Sequence, residues 1–292
     1  MTAVLRSLAA IVLLGLAACM RSSPRLAVGC KTTTEQSVLR EVIALHLERR
    51  LNIEVSRPSA FLSSQLAHQA LMLGTIDLYP EYFSNAFVGI LKLPPETDRG
   101  IITTRVTEHY RSQFRLERLS PLGFDARFAL AAGPDTGAFT SIEEALAQPG
   151  AWRLGTAPEF QERRDGFPLL MKSYNLKLSG PVRALEPPQL IKALREKQID
   201  LAGLRESDGL LADGAFRVLK DGKNAFGPAD AAIVVRQDTL QRIPELRRAL
   251  EELSGKIQIT TMRALNREVE GGRPAATVAS EFLKQASLPG LQ

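Results

Sequence analysis

The chain has 292 residues, 45% apolar and 24% charged, with a formal net charge of +5. That length buries a substantial core as one large or two medium domains, and the composition is that of an ordinary globular protein without low-complexity runs. Lys and Arg are spread along the chain with no block of five like charges, so a nucleic-acid patch has no support.

The first segment is MTAVLRSLAAIVLLGLAAC. Arg6 lies in a short polar start, and an apolar run from Leu8 to Ala18 follows. The run falls short of the ~18 apolar residues of a spanning helix and reads as a secretory signal. Leu16-Ala17-Ala18-Cys19 resembles a bacterial lipoprotein processing site, with small residues for the peptidase and a thiol to accept the lipid. The alternative is a plain signal peptide followed by a chance cysteine. With Cys19 lipidated, Cys30 has no disulfide partner. The expected order is a signal peptide over 1–18 and a lipidated tether over 19–25.

Leu26 to Gly29 reads as a strand. Thr33 and Gln36 have capping-box spacing, and Val38, Leu39, Val42, Ile43 and Leu47 follow at helical spacing. NIEVSRP is a second strand, a helix runs through Leu66, Leu71 and Met72 to Gly74, and TIDLYPE is a third strand. This β-α-β-α-β succession predicts a mainly parallel sheet with ligands beyond the C-terminal strand ends. RFALAAG, WRLGTA, the end of KQIDLAGL and AAIVVRQD read as further strands. SIEEALAQPG, FPLLMKSYNL and PPQLIKALREK read as helices. The tail from RIPELRRALEEL onward is helical, with breaks at Gly255 and Gly271-Gly272. LGFDARFALAAG and FGPADAAIVVRQD, about a hundred residues apart, are expected to be two crossings between lobes: 26–126 plus 230–292 as one, 127–229 as the other.

Catalytic motifs are absent: there is no GxSxG elbow and no phosphate loop. His46, His68 and His109 show no metal spacing and read as surface residues. Trp152, Tyr174, Phe83 and Phe87 read as packing residues, and Cys30 as a small buried side chain.

Seven segments in order, among them VGCKTTTEQSVLREVIALHLE, LMLGTIDLYPEYFSNAF, ERRDGFPLLMKSYNL, KQIDLAGLRESDGLL and LSGKIQITTMRALNREVEGG, resemble the binding proteins of osmoprotectant ABC importers, which take glycine betaine, carnitine or choline. The resemblance runs from about Arg25 to the end. It implies a two-lobe α/β periplasmic-binding-protein fold of type II kind, with mixed, mainly parallel sheets and a helical C-terminal tail. The family's pocket is an aromatic cage holding a quaternary ammonium by cation–π contact. Position by position, one cage tyrosine matches Tyr82 and a second matches Phe128. A third matches Arg205 and the fourth Ala229. Lys31, beside Thr32, matches a lysine, Arg163 matches an arginine before the DG element, and Asn85 stands where the family has threonine. The resemblance therefore implies a ligand site of Lys31, Thr32, Tyr82, Asn85, Phe128, Arg163 and Arg205, with no cofactor, metal or catalytic residue.

Two cage faces are replaced, one by a cation, so Lys31, Arg163 and Arg205 are expected to converge on an anionic group of a zwitterionic or anionic solute. The competing expectation pairs Arg205 with Glu206 or Asp208 at the surface. The implied protein is a monomeric, lipid-anchored receptor in the periplasm or at the cell surface that serves an ABC permease and its ATPase. A solute sensor, an envelope interaction lipoprotein and an uncharacterised hydrolase are the other readings.

Overall fold

The computed structural model describes residues 25–286. The expected signal peptide, Cys19 and most of the expected tether lie outside them. Among the described residues, no helix is long and apolar enough to cross a membrane.

Thr33 starts the first helix by accepting a hydrogen bond from the Gln36 amide. Helix α1 (Thr34–Leu51) then buries Val38, Leu39, Val42, Ile43 and Leu47 and ends at Asn52 in the left-handed region. Strands β1 (Leu26–Ala27) and β2 (Val55–Ser56) flank it and pair in parallel. Helix α2 (Ser64–Met72) is capped by Ser63 and leads into β3 (Leu78–Tyr82), which is buried throughout. Pro80 lacks an amide donor, which β3 tolerates because it lies at the end of its sheet order. A π-helical turn (Asn85–Ile90) follows, then α3 (Arg99–Gln113) and β4 (Leu116–Asp125).

After β4 the chain enters a second sheet at β5 (Phe128–Ala132). This unit holds α4 (Ile142–Leu146), β6 (Leu154–Thr156), α5 (Pro158–Glu162), α6 (Phe167–Tyr174), β7 (Arg183–Ala184), α7 (Pro187–Arg195), β8 (Leu201–Arg205) and β9 (Arg217–Val218). β10 (Asp230–Arg236) returns to the first sheet. The tail packs there as α8 (Gln237–Arg242), α9 (Leu246–Glu251), α10 (Ile259–Glu270) and α11 (Ala275–Gln285).

The sheets run β3-β10-β4 and β7-β6-β8-β5-β9. Pairing is more evenly mixed than the β-α-β succession predicts. β10 is antiparallel to β3 and β4, and β5 to β8 and β9, while β6 is parallel to β7 and β8. The reason is the double crossing: a strand that returns from the other lobe enters its sheet head to tail. Each sheet has an apolar cluster on both faces. In the first lobe one cluster joins α1 to the tail helices, and the other gathers Tyr79, Phe83, Phe87 and Tyr110. In the second, Phe128, Phe160 and Phe226 form one cluster and Leu190, Leu204 and Phe216 belong to the other.

Two histidines depart from their expected surface placement. His46 and His68 are 1% and 8% exposed. His46 Nε2 meets the Ala249 carbonyl at 2.8 Å because its face of α1 packs on α9, and His68 packs edge-on against Phe114 and at a tilt against Tyr110. Burial lowers the pKa of both, with Glu252 opposing the shift at His46 and Glu81 at His68. Cys30 is fully buried, as expected, and burial raises its thiol pKa.

Candidate functional site

The crossing segments bring the two lobes together around one cleft of about 950 Å³. Four structural positions supply its chemistry: the first turn of α1, the end of β3, the ends of β5 and β8, and the inner face of α10. The first three are ends of strands and helices, where backbone turns free side chains to point at a ligand, and the fourth is mid-helix.

Arg205 stands at the centre. It ends β8 directly across from Phe128, the first residue of β5. Its Cζ lies 4.5 Å from the Phe128 ring centroid and 5.0 Å from that of Tyr82. The guanidinium donates to Glu159 through Nε at 3.1 Å and Nη2 at 2.7 Å, to the Ala126 carbonyl at 2.6 Å and to Asn85 Oδ1 at 3.2 Å. Neither Glu206 nor Asp208 is its partner. Burial would push the Glu159 carboxyl pKa up, but Arg205, Arg163 and Lys31 prevail and hold it down at about 2.

The other two cations arrive with counter-ions of their own. Lys31 Nζ binds Glu81, donates to Ser64 Oγ at 3.2 Å and lies 4.6 Å from the Tyr82 centroid. Burial lowers the Lys31 pKa, and Glu81 opposes that shift. Arg163 makes a two-pronged pair with Asp165 at 2.9 and 2.6 Å and sits 5.7 Å from the Phe128 centroid. Lys31, Thr32, Tyr82, Phe128, Arg163 and Arg205 thus line one cleft. Asn85 stands behind Arg205 and links it to Ser64. Ala229, at the fourth cage position, is buried in the apolar cluster that joins α1 to the tail helices.

Several cleft residues escaped the sequence reading. Glu35, in the first turn of α1, accepts the Tyr82 hydroxyl and, at 3.0 Å, the Asn266 amide. Burial raises its pKa, and Ser207, Tyr82 and Asn266 oppose the shift. Asn266 also donates to the Ser207 carbonyl at 2.9 Å, which ties α10 to the loop after β8. Asp208, in that loop, has its pKa raised to about 6 by burial and by Glu35. Glu270 is raised to about 7 by burial, Asp208 and Glu35. Glu270 is exposed at the mouth of the cleft, where solvent screens it from the other two carboxylates. One signal for Asn266 was present in the sequence: it interrupts the apolar stripe of Met262, Leu265 and Val269.

Comparison with known proteins adds the lineage. The family of substrate-binding domains of ABC-type glycine betaine transport systems matches residues 24–285. The chain belongs to this family. It is 29% identical to the ergothioneine transport permease/ergothioneine binding protein of Helicobacter pylori. That alignment covers 90% of this chain and 48% of the relative, so the chain spans about half of that protein's length. It is also 29% identical to a glycine-betaine-binding protein of Pseudomonas aeruginosa, over 93% of this chain and 91% of that one. A crystal structure of a glycine betaine/carnitine/choline ABC transporter protein superposes with a TM-score of 0.81 at 26% identity, over 89% of this chain and 98% of the other. Lactococcal OpuAC, in a closed form with glycine betaine, superposes at 0.63 with 13% identity over 89% of this chain and 95% of its own, and so shares the fold.

Proposed function

We propose that this chain is the extracytoplasmic receptor of an ABC importer and captures a small zwitterionic solute between its lobes. The observation that carries the reading is the interlobe cleft in which Tyr82, Phe128 and Arg205 meet. The relatives' names, for ergothioneine and glycine betaine, support an osmoprotectant-like zwitterion as the substrate class. The charge arrangement narrows it. Lys31, Arg163 and Arg205 are each paired with a carboxylate, so the cleft carries no surplus of positive charge for a purely anionic solute. The ligand's anionic end takes the N–H groups that these three residues leave over, with Thr32 beside them. The lobes are 26–126 plus 230–292 and 127–229. Lobe closure presents the loaded form to a permease driven by a separate ATPase. The chain acts as a monomer, tethered to the membrane by lipid on Cys19 and performing no chemistry of its own.

Calorimetry with glycine betaine, choline, carnitine, amino acids and small organic acids tests this. A zwitterion is expected to bind with one-to-one stoichiometry while simple anions do not. Tight binding of an organic acid without a cationic group contradicts it.

A further inference from the structure

Arg205 occupies the position that a ligand's cation would take against the rings. Its guanidinium lies within 5.0 Å of both the Tyr82 and Phe128 centroids, and a second cation seated there would face it directly. The cationic end of the solute therefore needs another place.

The corner built by the first turn of α1, the loop after β8 and the middle of α10 offers one. It presents acceptors. Each oxygen of Glu35 accepts one hydrogen bond, from Tyr82 or Asn266, and keeps a lone pair to spare. The Asn266 amide has a fixed orientation, because its Nδ2 meets two acceptors, the Glu35 carboxylate and the Ser207 carbonyl. Its Oδ1 is buried and receives no donor, in a residue 3% exposed that lines the cleft. Ser207 Oγ is near enough to Glu35 to favour its charge, yet has no partner at hydrogen-bonding geometry. Asp208 and Glu270 line the same space. Among the described residues, neither they nor Glu35 form an ion pair. Of the cations that act on Glu35 and Asp208, Arg205 is committed to Glu159, and Arg263 donates to the Glu206 carbonyl at 2.6 Å. No three of these carboxylates converge closely enough to hold a metal ion. A quaternary ammonium has no N–H and leaves Asn266 Oδ1 without a donor, whereas an ammonium or guanidinium with N–H groups supplies it.

We propose that Glu35, Asp208 and Asn266 Oδ1 form the subsite for an N–H-bearing cationic end of the solute, a primary or secondary ammonium or a guanidinium, while Arg205 closes the ring site to quaternary ammonium. This rests on the receptor reading above and deepens it.

The test is calorimetry on the wild-type chain with methylation series: glycine, N-methylglycine, N,N-dimethylglycine and glycine betaine; 4-aminobutyrate and its trimethyl counterpart; arginine; histidine and its trimethyl betaine. An N–H member is expected to bind about tenfold or more tighter than its trimethyl partner. Glu35→Gln and Asp208→Asn are each expected to weaken that member by about tenfold and the trimethyl partner by less. Thermal melts check that both variants fold, and the wild-type series stands without them. If trimethyl members bind as tightly as their N–H partners or tighter, the subsite assignment is overturned and the receptor reading survives. If no member of any series binds, both are overturned.

Discussion

Arg205 makes four hydrogen bonds to the protein itself, out of five N–H groups. A side chain so committed acts more as part of the wall than as a free hand for ligand. Replacing Arg205 by Tyr and Glu159 by Gln together removes the ion pair and restores a ring. Glycine betaine affinity should rise, by about 0.5–2 kcal/mol for the added cation–π face, in a titration against wild type; unchanged affinity would show that Arg205 does not block the site. Tyr82→Phe leaves one oxygen of the buried Glu35 without its donor. It should lower stability by about 1–3 kcal/mol in urea unfolding, without moving the backbone. The pH dependence follows from Asp208. Its raised pKa means that the ionised form is half-populated at about 6 and complete only well above it. A cationic ligand favours that form, so affinity should rise as pH climbs through about 6 and weaken below it, as read by calorimetry at fixed ionic strength. Glu159 gives stability the same direction of pH dependence, in a lower window. Its carboxyl is held at about 2 against an ordinary 4.5, so its contribution is complete above 4.5 and is lost as pH falls towards 2.

At the scale of elements, the residues legible in the sequence were those at strand ends. Tyr82, Phe128 and Arg205 terminate or begin β3, β5 and β8; local patterns marked the strands, and the family resemblance picked out these residues. Glu35 and Asn266 were not legible. One looks like an ordinary first-turn acid of α1, favourable there for the helix dipole, and the other sits 231 residues away in the chain on a tail helix. Only the packing of α11 and α10 on α1 brings them into contact, and no local pattern encodes that. The counter-ions Glu81, Glu159 and Asp165 were equally hidden, because a carboxylate's partner is a property of the fold. The joint between α10 and the loop after β8 is tight. A Cβ on Gly209 would stand 2.7 Å from the Arg267 amide and 2.5 Å from a Glu270 oxygen. Gly209→Ala should push the loop from the helix, lower the melting temperature and displace Asp208, and so weaken ligand binding. A variant with unchanged melting and affinity would show that the loop yields freely.

Across the whole molecule, the two sheets are joined by crossings that Asp125 fastens together. Its Oδ1 accepts the amides of Arg127 at 3.0 Å and Ala229 at 2.8 Å, one on each crossing, and its Oδ2 accepts Arg99 and Arg127. Away from the crossings, Arg263 and Asn266 reach the loop after β8 on one flank, and Arg164 reaches the Lys92 and Leu93 carbonyls at 3.4 and 3.3 Å on the other. Between these contacts and the Arg205–Asn85 bond, the space separating the lobes is cleft. That is the arrangement a solute can stabilise by contacting both sides, and it shifts an open–closed equilibrium by the difference in those contacts. Asp125→Ala should loosen the joint, reducing stability by about 1–3 kcal/mol in denaturant unfolding as the two amides lose their acceptor. The most direct measurement is mass spectrometry of the small molecule released when the natively purified chain is denatured. One equivalent of a zwitterion whose cationic end carries N–H groups, and which raises the melting temperature when added back, is the predicted result. Release of a quaternary ammonium compound, or a cleft that yields no small molecule and a melting temperature that no zwitterion shifts, would contradict it.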